Sequence, residues 1–182
     1  MNEIIKKNGV NFGIILGVFS VLYTTAIYVT DLKLFTSWWL GLVSFAIAIT
    51  IGVVLVSKTK KQMGTMTFKE GFTVYFIAAL LGTFISTIYN YVLFNFIDTQ
   101  AKETIKEITI KYTADMMQKF GTPATAINET IQKMNETDNY SLGNLLFGMA
   151  IVLVFQAIFG LILDLKYVLC RALARHNEIL TF

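Results

Sequence analysis

Four stretches of this chain carry no charged residue: those between Lys7 and Asp31, Lys33 and Lys58, Glu70 and Asp98, and Asp138 and Asp164. Each holds 23 to 27 residues. A helix rises about 1.5 Å per residue, so about 20 apolar residues cross a hydrocarbon core of about 30 Å. Four uncharged gaps of that length predict four bilayer-spanning helices. A soluble bundle with four fully buried helices fails on size, because 182 residues cannot cover them. Composition agrees. Charged residues make up only 15% of the chain and hydrophobic residues 55%, whereas soluble domains are about 25% charged.

The predicted spans cover about residues 9–29, 37–56, 72–97 and 142–163. The predicted fold class is an all-α membrane protein, with an extramembrane helical hairpin at 99–141 between the third and fourth transmembrane helices. Lys6 and Lys7 before the first span look like the start of a signal peptide. The apolar run is too long for that, and no A-x-A pattern follows, so the span is expected to be retained.

Lysine and arginine near the ends of spans set orientation. Lys6, Lys7, Lys58, Lys60, Lys61, Lys69, Lys166, Arg171 and Arg175 all fall at one end of the predicted bundle. The first loop at the other end has only Lys33. The long third loop balances its lysines with acids, and long loops obey the rule less strictly. Both termini are therefore expected in the cytoplasm. Trp38 and Trp39 then mark the outer interface, with Tyr28 opposite.

In lipid, helices associate through small residues and interhelical hydrogen bonds. Gly9, Gly13 and Gly17 form a four-residue stripe on span one. Ser44, Ala48 and Gly52 do so on span two, and Ala78, Gly82, Ser86 and Asn90 on span three. Such stripes serve internal packing or an oligomer interface. Asn90 lies about 10 Å inside the outer edge and Gln156 about 21 Å inside it, by helical rise. Buried amides need partners. The expected pairs are Asn90 with Ser44 or with Thr24 and Thr25, and Gln156 with Thr50. Gly9, Gly13, Gly17, Ser44, Thr50, Gly82, Ser86, Asn90 and Gln156 are thus the candidate packing or interaction residues. No Asp, Glu, Lys, Arg or His lies deep in a span, which argues against a proton-driven pump.

Residues 99–141 form the one sizeable extramembrane segment. Ile105, Ile108, Tyr112, Met116 and Phe120 recur at helical spacing, and Gly121 reads as a stop. Thr122-Pro123 reads as N-cap and first turn of a second helix, with Ile127, Ile131 and Met134 on one face. No Gly or Pro occurs between Thr83 and Phe120. Span three is therefore expected to run into the hairpin with at most a bend near Asp98.

The run "TFKEGF" at 67–72 opens span three, and "IYNYVLFNFID" at 88–98 closes it. On these motifs, the four-span layout and the loop after Asp98, the chain resembles the family called domain of unknown function 4199, found mainly in Bacteroidota. Thr99 stands where that family usually has proline. The resemblance implies an inner-membrane protein of a diderm bacterium with its hairpin in the periplasm, and it implies no activity.

Nothing here spells out a reaction. Cys170 and His176 each stand alone, and Glu103 and Glu107 sit on the solvated face of a loop helix. No catalytic residue, metal ligand or cofactor is expected, and a net charge of +3 is too small and scattered for nucleic acid. The leading expectation is a non-enzymatic accessory or assembly subunit. Its partners would be the lipid bilayer and either a homo-oligomer formed through the span-one glycines or a larger membrane complex. The alternative is a small transporter or channel subunit with a polar path past Asn90 and Gln156.

Overall fold

The computed structural model describes the backbone of residues 2–179 and side-chain surroundings through Leu161. Lys166, Cys170, Arg171, Arg175 and His176 lie outside the residues whose side chains are described. Six α-helices follow one another among the described residues: α1 (Glu3–Thr30), α2 (Trp38–Met63), α3 (Phe68–Val92), α4 (Thr99–Lys119), α5 (Ala124–Glu136) and α6 (Leu142–Ile179). The stretches Glu3–Thr30, Trp38–Met63, Phe68–Ile97 and Leu142–Leu161 are long and apolar enough to cross a bilayer. The protein is an all-α membrane protein.

Local chemistry sets the helix ends. Asn2 caps α1 by accepting from the Ile4 N–H at 3.0 Å. Gly64, at φ +73°, ends α2 in a conformation that costs a side chain energy. The "TFKE" motif is a capping box. Thr67 Oγ1 accepts from the Glu70 N–H, and the Glu70 carboxylate accepts from the Thr67 N–H at 2.8 Å. Two N–H groups that the first turn leaves without partners are satisfied reciprocally.

The helical path from α3 into α4 is interrupted at one residue. The last turn of α3 widens into a π turn over Leu93–Ile97, with the Asp98 N–H donating to the Leu93 carbonyl at 2.8 Å. Asp98 then leaves helical geometry, at φ −141°, and its carboxylate caps α4 by accepting from the Ala101 N–H at 2.8 Å. Gly121, at φ +72°, stops the hairpin's first helix as its position predicts. Pro123 rather than Thr122 holds the N-cap position of α5, one residue later than the sequence reading placed it.

α3 is the central helix, flanked by α1 and α6. α1 and α3 run parallel in a fixed register. Gly9, Gly13 and Gly17 face Ile77, Leu81 and Ile85 in turn, and Gly82 receives Leu16 from the opposite side. The missing side chains let the two backbones approach, so that branched residues of one helix fill the groove of the other. Of the two uses open to the span-one stripe, the structure shows the internal one: it packs against α3.

α2 is fastened to α1 near both ends. Asn8 donates to Thr59 at 3.0 Å and to Gln62 at 2.7 Å, and the Tyr23 hydroxyl donates to the Leu40 carbonyl at 2.7 Å. Ile5, Leu55, Val56, Val74, Tyr75, Ala78 and Ala79 form the core of the lysine-rich half. A second core, of Leu93, Phe94, Ala101 and Ile105, seats α4 on the opposite end of the bundle.

Candidate functional site: a cavity beneath the hairpin

A cavity of about 420 Å³ opens between α2, α3 and α6, below the turn that joins the hairpin to α6. α3 supplies a polar wall of Thr83, Ser86, Thr87 and Asn90, a set that recurs every three to four residues and so shares one helix face. α6 contributes Gln156, Asn144 and Gly148, and α1 contributes Ser20. Phe45, Ala48 and Ile49 of α2 form an apolar wall opposite. Among the described residues no Asp, Glu, Lys, Arg or His lines this space.

Tyr75 forms the floor. Its ring is clasped between α2 and α6, where a Cβ on Gly52 would come within 2.7 Å of Cε2 and a Cβ on Gly160 within 2.8 Å of Cδ1. Phe45 and Phe159 meet edge to face beside it, with ring centroids 4.8 Å apart. Both contacts use side chains to bridge helices whose backbones stay apart.

The candidate residues sort into three groups. Ser86, Asn90 and Gln156 converge on the cavity, and Gly82 touches it from the α1–α3 seam. Gly9, Gly13 and Gly17 belong wholly to that seam. Ser44 lies in a shallow groove with Tyr23, Thr24 and Leu40, and Thr50 is exposed, its hydroxyl donating to the Ala46 carbonyl of its own helix.

Neither expected amide pair forms. Asn90 Nδ2 donates to the Ser86 carbonyl of its own helix at 2.8 Å. Thr25 bonds instead to the Tyr89 hydroxyl. Gln156 meets Thr83 of α3, not Thr50, at 3.4–3.5 Å. The reason is rotation about the helix axis: Ser44 lies among residues of α1 and the first loop, and Thr50 is exposed, so neither is turned to α3.

A polar network ties the cavity's rim to the hairpin. Asn95 Nδ2 donates to the Tyr140 carbonyl at 2.8 Å, and its Oδ1 accepts from Lys102 at 3.3 Å. Lys102 also pairs with Asp138 at 2.9 Å, and Asn144 at the rim donates to the Asp138 carbonyl at 2.7 Å. The Tyr140 ring packs tilted against Phe94 with centroids 4.2 Å apart. Tyr28 gives its hydroxyl to Asp98 at 2.7 Å, which ties α1 to the start of α4.

These contacts move proton affinities. The Tyr28 hydroxyl, and then the Ala101 N–H, hold the Asp98 carboxyl below its usual range. Burial alone would raise Asp138, but the Lys102 ammonium, the Tyr140 N–H and the charge of Lys106 keep it below the usual range too. Burial pushes the Tyr140 hydroxyl up to about 12.

A family model described as "Protein of unknown function (DUF4199)" matches residues 11–165. The chain belongs to the DUF4199 family. The matched segment contains every residue lining the cavity and the whole hairpin, so the DUF4199 unit and the site are the same piece of chain. No curated protein and no solved structure matches the chain. Sequence reasoning missed Tyr75, Thr83 and the Asn95–Lys102–Asp138 network of this DUF4199 protein. Gly52 and Gly160, each within the apolar run of a span, were the available signal for the first.

Proposed function

We propose that this is a non-enzymatic integral protein of the inner membrane whose working part is the cavity beneath the hairpin, which binds an uncharged molecule. One observation carries the reading. Three polar residues in the spans, Ser86, Asn90 and Gln156, line a single space. The volume suits a small ligand, since such pockets run from about 300 Å³ upward. Passage across the membrane would require Tyr75 to leave Gly52 and Gly160, which favours binding over conduction. The nine lysines and arginines at one end support both termini in the cytoplasm and the hairpin in the periplasm.

Thiol access tests the cavity. In a Cys170→Ser background in nanodiscs, the Ser86→Cys thiol should react with a small polar methanethiosulfonate. Gly148→Trp should block that reaction, because Gly148 lines the cavity and a Cβ there meets no atom within 4 Å. A thiol that never reacts, or one that Gly148→Trp leaves fully reactive, would count against a fillable site.

A second reading, an accessory subunit acting through the hairpin, rests on a different feature. Tyr112, Met116 and Phe120 stay exposed at the far end of α4, with Phe120 81% exposed. A photo-crosslinker at Phe120 should then capture one discrete partner from native membranes, and labelling of lipid alone would set this role aside.

A further inference from the structure

The cavity has two unlike walls and an unmet hydrogen-bonding capacity. Asn90 uses Nδ2 on the Ser86 carbonyl, and its Oδ1 has no partner among the described residues. Whichever way the amide is turned, half of it is left unsatisfied. Gln156 reaches Thr83 only at 3.4–3.5 Å, beyond ordinary hydrogen-bond distance. In a bilayer-embedded region unmet polar groups are costly, so a guest that brings its own N–H or O–H is favoured.

The facing wall asks for something different. Phe45, Ala48 and Ile49 on α2 offer only hydrocarbon. α2 and α6 are bridged by the Phe45–Phe159 ring pair and by the Tyr75 ring, without close backbone packing between them. With no cation in the lining, a phosphate or carboxylate head would be buried uncompensated.

Taking the cavity to be a binding site as above, we propose that it accepts an uncharged amphiphile laterally from the bilayer. Its hydroxyl or amide head sits against Asn90, and its chain passes between α2 and α6. The ligand class is a neutral lipid bearing a hydrogen-bond donor. A phospholipid or a water-borne solute does not satisfy both walls.

Two photoreactive probes with the same diazirine-bearing chain test this in nanodiscs: a monoacylglycerol and the lysophosphatidic acid made from it. Adducts from the monoacylglycerol should map to Ala48, Ile49 or Val152 and exceed those of the phosphate analogue at least fivefold. Asn90→Leu should lower them about fivefold, the worth of one hydrogen bond. Gly148→Trp should abolish them, and Gly148→Ala should not, which separates filling from misfolding.

Equal labelling by the two probes would overturn the choice of head group. Adducts confined to outward-facing Val18, Val54 and Val154 would overturn occupancy by an amphiphile. If the Ser86→Cys thiol reacts and is blocked by Gly148→Trp while neither probe labels the cavity, the binding site stands and the amphiphile falls. If the thiol is inert and labelling ignores Gly148→Trp, both fall.

Discussion

A Cβ on Gly13 would lie 2.8 Å from the Cβ of Leu81, closer than two such atoms can sit. The Ala78 carbonyl oxygen, 3.1 Å away, blocks retreat along the helix. Gly13→Ala must therefore push α1 off α3, at about 1–3 kcal/mol, the usual cost of overpacking. Gly41→Ala has nothing within 4 Å. It should be neutral or gain up to about 1 kcal/mol from helix propensity. Reversible unfolding in mixed micelles measures both. Unaltered stability with a dissociated oligomer would return the glycine stripe to an intermolecular role.

Tyr75 gives a sharper test, because two helices touch it. Gly52→Ala and Gly160→Ala should each destabilise by about 1–3 kcal/mol, since each new methyl meets the ring. In a Tyr75→Ala background the same two changes should cost much less. The non-additivity is the measurement, as for any contacting pair. Additive costs would show that the glycines admit something other than this ring.

Asn8 is 7% exposed and donates to both Thr59 and Gln62. Interhelical hydrogen bonds in membranes contribute about 0.6 kcal/mol on average. A double-mutant cycle on Asn8→Ala and Gln62→Ala should return a coupling of about that size. The bonds then fix how α1 and α2 are registered more than how stable they are. A coupling near zero would mean that the amide is held by packing alone.

Asp98 and Asp138 set the acid limit of the hairpin. Folding lowers both carboxyls from 3.8, so the folded state favours their charged forms. That stabilisation is complete above the unfolded value and is lost as pH falls through the lower folded values. Hydrogen exchange of the first turn of α4 and of 138–141, corrected for intrinsic rate, should speed up as pH drops below about 4. Asp98→Asn and Asp138→Asn should flatten that dependence. Protection that holds unchanged to about pH 2 would contradict the assignment.

The sequence by itself determined whatever depends on neighbours along the chain. Uncharged runs of bilayer length gave the spans, Ile105 and Ile127 marked the hairpin's inner faces, and Gly121 ended its first helix. The Thr67–Glu70 capping box was equally legible as a spacing of three, although it was read only as a plain helix start. These features are local because hydropathy, capping and turn preference act over a few residues. Tertiary structure alone decided which groups meet. Thr83 and Gln156 are 73 residues apart, Tyr28 and Asp98 are 70 apart, and Tyr75 joins Gly52 to Gly160. Two polar residues at equal depth pair only if both helices turn them toward one another, and the rotation of α2 and α6 follows from contacts such as Asn8 with Thr59 and Tyr75 with Gly52 and Gly160. Depth was written in the spacing of each span, whereas azimuth emerged only when the helices packed.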